Sequence, residues 1–132
     1  MLLTNLSRRI YRRATEDVLG MRLKQYVALN HLHHFPGVTQ RQLGDALLLD
    51  PNNLVLLLND IEAAGWAERR RDPEDRRRHV VEITAAGRQA LRRAERALDG
   101  LEGDVLDSLS PDERTTLREL LAKALAGAPA PV

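Results

Sequence analysis

Six arginines and three acidic residues fall within the ten positions from Arg69 to Arg78. Guanidinium groups form paired hydrogen bonds with phosphate oxygens, so this arginine density suits contact with a nucleic-acid backbone. The flanking segments, Trp66–Arg71 and Arg78–Ile83, have the residue types of short strands. The sequence therefore predicts a β-hairpin with a strongly basic tip.

Several side chains of this hairpin are candidates for separate roles. Arg77 is expected to reach a DNA minor groove or a phosphate. Arg76 and Arg78 are candidates for phosphate contacts, and the alternative is that they are solvated charges. Asp75 is expected to orient the hairpin by pairing with Arg77 or Arg69.

A strongly patterned helix, Pro51 to Ala64, directly precedes the hairpin and is closed by Gly65. Asp50 is a good N-cap, and proline is favoured at the first helical position. A helix followed by a basic hairpin predicts a winged helix-turn-helix, in which the helix enters the major groove and the hairpin, or wing, reaches over the backbone. The residues that lie off the buried face of this helix and can contact a partner are Asn52, Asn53, Val55, Leu56 and Asn59.

Asparagine amides can pair with adenine, which makes Asn52 and Asn53 candidates for base contacts. The alternative is that they only favour the helix start, and Asn59, further along, is a weaker candidate. The preceding short helix also begins with residues suited to hold a phosphate, because helix N-termini present free amides. The candidates there are Thr39, Gln40 and Arg41.

Helical spacing of apolar residues organises the rest of the chain, and we expect a mainly α fold with a small β-hairpin (α+β). The expected domains are the N-terminal helices (1–35), the winged helix-turn-helix DNA-binding lobe (36–84) and the C-terminal helices (85–132), with both outer parts serving dimerisation. Three further helices are predicted before the wing, from Leu2 through Val18 to Gly20, over Leu23–His34 and from Thr39 through Ala46. Two follow it, one from Thr84 to about Leu109, with weakening glycines at 100 and 103, and one from Ser110 to near Gly127. The tail, 128–132, is expected to fray.

Composition excludes several other functions. The 132 residues include no cysteine, which removes disulfides, thiolate nucleophiles and thiolate metal sites. We find no nucleophile elbow, no glycine-rich phosphate loop and no paired-carboxylate motif, so we expect no enzyme, no cofactor and no bound metal. The sequence also predicts no signal peptide and no membrane span, and hence a cytoplasmic protein.

Tyr26, His31 and His34 are weak candidates for lining a ligand pocket. The two histidines stand three positions apart near a helix end, a spacing that can also suit a metal. Because no other ligand type adjoins them, ordinary histidines at a helix C-terminus are the favoured interpretation.

The wing resembles that of the MarR-type winged-helix transcriptional regulators. The family pattern is Asp-x-Arg, three further residues and Val-x-Leu-Thr; here it reads DRRRHVVEIT over 75–84, with Ile83 in place of leucine. The helix exit LNDIEAAGWAER (58–69) and the junction TAAGR (84–88) are similar to the family as well. The recognition helix departs from it, with Val55 and Leu56 where the family often has a small hydroxyl residue and an arginine.

The resemblance implies a homodimer whose two lobes bind successive major grooves of a pseudo-palindromic double-stranded DNA. It also implies repression that is relieved by a small, often aromatic or acidic, effector. The sequence thus predicts a ligand-responsive DNA-binding repressor. The alternative is a winged-helix protein-interaction module without DNA binding, suggested by the exposed apolar positions Val55 and Leu56.

Overall fold

The computed structural model describes residues 1–127, and the tail predicted to fray, 128–132, lies outside them. The predicted fold class is confirmed: the described chain is helical apart from one antiparallel hairpin. The elements are α1 (Leu2–Arg13), α2 (Glu16–Leu19), α3 (Leu23–His34), α4 (Gln40–Leu47), α5 (Pro51–Ala63), β1 (Ala67–Arg71), β2 (His79–Ile83), α6 (Ala85–Val105) and α7 (Pro111–Ala126).

The core lies where α3, α5, the first half of α6 and the base of the hairpin meet. It is built from aliphatic side chains, as expected for a chain in which only 3% of residues are aromatic. Burial of such side chains supplies the main driving force for folding. The largest fully buried ones are Met21, Leu29, Leu32, Leu43, Leu58, Ile61, Leu91 and Val81.

The predicted first helix is divided in two, which corrects the expectation of one helix running to Gly20. Thr15 adopts an extended conformation and begins α2, with Glu16 and Asp17 in its first turn. Acidic residues are favoured at a helix N-terminus, so this short segment competes with continuation of α1. The break lets Ala14 and Leu19 bury themselves in the core.

Thr84 joins the exit of α5 to the start of α6. Its hydroxyl donates to the Gly65 carbonyl at 2.6 Å and accepts from the Gly87 amide at 3.0 Å. Gly65 has φ +78°, so it closes α5 as predicted in a conformation that glycine adopts readily. The helix that follows passes through Gly100 and Gly103, which were expected to weaken it, and ends at Val105, earlier than the predicted Leu109.

Candidate nucleic-acid interface

The N-termini of α4 and α5 open onto the same groove as the wing. Thr39 caps α4 by accepting from the Gln42 amide at 3.1 Å, and Asp50 caps α5 by accepting from the Asn53 amide at 2.9 Å. These hydrogen bonds hold the pKa of the exposed Asp50 carboxyl below its usual value, so it stays ionised. The groove, about 870 Å³, includes Thr39, Gln40, Arg41, Pro51, Val55, Arg77 and Arg78 among its lining residues.

The basic tip of the wing is ordered by two aspartates. Asp75 accepts from the Arg77 amide at 3.1 Å and from its Nε at 3.2 Å. These contacts lower the pKa of the Asp75 carboxyl, with a smaller contribution from the charge of Arg78. Asp72 accepts from Arg78 at 3.2 Å. The Arg77 side chain is nevertheless 91% exposed, so a new anion has free access to it.

Arg69 connects the wing to α5. Its guanidinium bonds to Glu62 and donates to Asn59 Oδ1 at 2.8 Å. Of the two alternatives given for Asp75, the structure contains the pairing with Arg77, and Arg69 pairs with Glu62 instead. The physical reason is that Arg69 lies midway along β1, opposite Val81 and within reach of Glu62 on α5, whereas Asp75 lies in the turn at the tip of the hairpin.

The wing is also attached to the start of α4, a contact that no sequence pattern indicated. The Val81 amide donates to the Val38 carbonyl at 3.0 Å, and Thr39 forms an antiparallel bridge with Val80. Both valines of β2 are consequently buried, although they point to opposite faces of the hairpin. One extended residue pair before a helix is too short a pattern to predict as a strand. The bridge fixes the wing relative to the helix-turn-helix.

The predicted division of α5 into a buried and an outward face is confirmed by the burial of its side chains. Leu54, Leu57, Leu58 and Ile61 are buried. The opposite face carries Asn52, Leu56 and Asn59, and Val55 stands at the edge that faces the wing.

Of two further predicted cations, Arg41 lines the groove at the N-termini of α4 and α5, and Arg76 lies in the turn at the tip of the wing. Arg41 and Arg76 are exposed, and within residues 1–127 neither makes an ion pair. The backbone carbonyl of Arg76 accepts from the Arg71 side chain at 3.0 Å, which steadies the tip of the wing. The name α5–wing surface is used below for three adjoining parts of the molecule. They are the N-terminus of α4 (Thr39–Arg41), the exposed arginines of the wing tip (Arg76 and Arg77) and the outward face of α5 (Asn52, Val55, Leu56 and Asn59).

The three candidate pocket residues are not brought together. His31 stacks on Phe35 with ring centroids 4.6 Å apart, and both His31 and His34 border a shallow depression at the α3–α4 loop. Tyr26 instead packs against the core next to α6, where burial and the charges of Glu95, Asp99 and Glu102 raise the pKa of its hydroxyl. The described residues hold no group of three side chains suited to a metal.

A second groove, about 740 Å³, runs between α1, α6 and α7, and the sequence had not singled out its residues. Leucines of α1 and α7 and Leu106, just after α6, line it, and Asp99, Glu102, Arg114 and Arg118 add charge. Burial, helped by the charge of Asp99, raises the pKa of the Glu102 carboxyl, and Arg118 partly offsets this. Asp99 and Glu102 are three positions apart and so lie on one face of α6, and this spacing was the sequence signal from which the groove could have been predicted.

The fold and this surface define the protein class as a winged helix. The sequence model of the MarR family matches residues 19–78. The chain is 30% identical over 101 residues to the transcriptional regulator HosA of Escherichia coli O111:H-, which covers 76% of this chain and 75% of HosA. The chain therefore belongs to the MarR family of transcriptional regulators.

Other relatives agree with this membership. The chain is 36% identical over 98 residues, 74% of its length, to a regulatory protein assigned to the hcr operon of Thauera aromatica, and it spans 59% of that protein. A crystal structure of MarR matches with a TM-score of 0.80 at 25% identity, covering 95% of this chain and 86% of that one. PcaV of Streptomyces coelicolor, solved with its natural ligand, matches with a TM-score of 0.62 at 27% identity, covering 83% and 77%.

No helix of the described chain combines the length and the hydropathy needed to cross a bilayer.

Proposed function

We propose that this protein is a homodimeric, sequence-specific DNA-binding repressor that acts in the cytoplasm and responds to a small-molecule effector. The observation that carries the DNA-binding part is the α5–wing surface. There, the N-terminus of α4, the Val55 edge of α5 and the exposed Arg77 border one groove. The width of a major groove admits an α-helix, and the flanking cations are placed to meet the phosphates on either side.

Charge supports DNA over a protein partner. The formal net charge of the chain is only +1, so the arginines are concentrated and not simply abundant. Arg41, Arg77 and Arg78 line the first groove against one acid, Asp45, whereas in the second groove Asp99 and Glu102 are balanced by Arg114 and Arg118. A local basic patch on a nearly neutral protein is the expected electrostatic footprint of a DNA-binding protein.

The dimer is proposed from two helices whose apolar side chains are incompletely covered. Neither α1 nor α7 has a buried residue in the described chain, yet both carry leucines. Leu2 and Leu3 of α1 and Leu120 and Leu125 of α7 are exposed. A second copy that covers these faces also gives the two-fold symmetry that a pseudo-palindromic site requires.

The effector and the repressor role rest on the family and on one solved relative, since PcaV was crystallised with a ligand. We propose an aromatic or acidic effector that weakens DNA binding by preferring a different arrangement of the two lobes. Titrating small aromatic carboxylates into the protein–DNA complex tests this. Release of DNA at saturating effector is the expected result, and unchanged affinity across the series would remove the effector from the proposal.

The primary experiment measures binding to the duplex upstream of the coding region, across a salt series, with a random duplex of equal length as competitor. Binding that resists the competitor and weakens steeply with salt is expected, because arginine contacts release counterions from DNA. If neither duplex is bound at low salt, the chain is not a DNA-binding protein and the protein-interaction alternative replaces it.

Arg77→Ala tests the wing contact directly. It is expected to weaken binding by about 1–3 kcal/mol and to reduce the salt slope by about one unit. Arg96→Ala is the matched control, because Arg96 is an exposed arginine on α6. Equal affinities of the two variants would exclude the wing from the interface.

A further inference from the structure

The three asparagines on α5 differ in how much of their amide is free. Asn59 Oδ1 accepts from Arg69 at 2.8 Å, and Asn53 Nδ2 donates to Asp50 Oδ2 at 2.7 Å. Within residues 1–127 the Asn52 side chain makes no hydrogen bond, although its backbone amide contacts Asp50. Pairing with adenine uses both the oxygen and the nitrogen of an amide, so Asn52 is the asparagine best prepared for it.

Leu56 lies one helical turn after Asn52, on the same outward face, and is 62% exposed. A leucine at such a position gains nothing from water, and its neighbour Val55 lines the groove that also carries Arg41, Arg77 and Arg78. Anionic DNA therefore suits this face better than an apolar protein partner. In the major groove the apolar group available to a leucine is the C5-methyl of thymine.

We infer that Asn52 and Leu56 are specificity-determining residues, Asn52 reading an adenine and Leu56 a thymine methyl group in each half-site. This inference rests on the proposed DNA binding. A separation of four residues spans about 6 Å along the helix, and bases along one strand are about 3.4 Å apart. The two contacted base pairs consequently lie about two steps apart.

The test of Leu56 begins with a duplex selected by the protein from a random library. Each thymine of one half-site is then replaced singly by deoxyuridine, which removes the methyl group and leaves the base pairing intact. At one position we expect about a fourfold loss of affinity, the value of one buried methyl group. The Leu56→Ala protein is expected to bind more weakly overall and to lose this difference between the two duplexes.

The test of Asn52 uses 7-deazaadenine, which lacks the N7 acceptor. One substituted adenine is expected to weaken binding about fivefold or more, the lower range for a bidentate base contact. Asn52→Ala should abolish the sensitivity to this substitution, whereas the matched control Asn53→Ala should retain it. The exposure of all these positions keeps the core intact, and a melting curve verifies this for each variant.

The outcomes separate the inference from the function on which it depends. Competitor-resistant binding that is insensitive to deoxyuridine and to 7-deazaadenine leaves the DNA-binding function standing and overturns the assignment of Asn52 and Leu56. Sensitivity that persists in Leu56→Ala overturns the role of that leucine. Failure to select any duplex overturns both the function and the inference.

Discussion

The backbone conformation of Leu48 lowers the stability of the folded protein. Leu48 occupies the turn between α4 and α5 with φ 56° and ψ 40°, and its side chain is 77% exposed. The left-handed region crowds the Cβ of any L-residue, whereas glycine enters it without this penalty. The apolar side chain gains little in return, because so little of it is buried.

Leu48→Gly is therefore expected to raise the free energy of unfolding by about 1 kcal/mol, the relief of strain exceeding the added chain entropy. Leu48→Ala is the control, because it removes the side chain and keeps the strain. Urea denaturation of both variants measures the effect. Equal stabilities of the two variants would show that the left-handed conformation is not the cause.

Glu102 makes stability depend on pH. The carboxyl is partly desolvated and lies near Asp99, so its pKa is raised in the folded protein. The folded state then holds the proton more tightly than the unfolded state, and this contribution to stability is present at low pH and is lost as pH rises through the folded pKa.

Glu102→Gln is expected to stabilise the protein at about pH 7 and to have a smaller effect at about pH 4. A pH of about 4 is at or below the ordinary pKa of glutamate, so the native carboxyl, whose pKa is raised, is largely protonated there. Glu119→Gln, an exposed change on α7, is the control for loss of one charge. Thermal melting at both pH values checks the sign. A stabilisation that is the same at both would contradict the role given to burial.

Among the elements, α6 makes a close backbone contact at its junction with the hairpin. A Cβ on Gly87 would lie 2.0 Å from the Trp66 carbonyl oxygen, so the first turn of α6 approaches the backbone after α5 directly. This contact, together with the Thr84 hydroxyl, sets the angle at which α6 leaves the winged helix.

Gly87→Ala is expected to destabilise the protein by about 3 kcal/mol, since backbone must move to admit the methyl group. Gly100→Ala in the same helix meets open space and should gain about 0.5–1 kcal/mol from helix propensity. The opposite signs are measured by denaturant titration. If both variants are destabilised, α6 tolerates no added side chain, and the effect at Gly87 cannot be attributed to its close approach to Trp66.

Elements with local signals were predicted well, and the exceptions have identifiable causes. The start of α5 at Asp50 and Pro51, the start of α7 at Ser110 and the cap at Thr84 agree with the structure, because capping depends on neighbouring residues. The first helix was predicted too long because its apolar spacing continues past Thr15, and only burial of Ala14 and Leu19 in the core favours the break.

For the molecule as a whole, the exposed leucines of α1 and α7 predict association. Leu125→Glu is expected to yield monomers, because Leu125 lines the α1–α6–α7 groove and is 75% exposed, so the charge would disturb a dimer more than a monomer. Leu48→Glu, equally exposed at the opposite side, should leave the mass unchanged. Analytical ultracentrifugation measures the molar mass of both variants in solution. A native protein that stays monomeric at every concentration would contradict the proposed dimer.

Residue types and short-range spacing established the helices, their caps, the basic hairpin and the resemblance to the MarR family, because each depends on residues within a few positions of one another. Tertiary structure decided which charges and amides are already engaged. Arg69 binds Glu62 and Asn59, and β2 forms a β-bridge with the segment before α4. Such contacts depend on distances between residues far apart in the chain, which packing of the core sets and which no local pattern encodes.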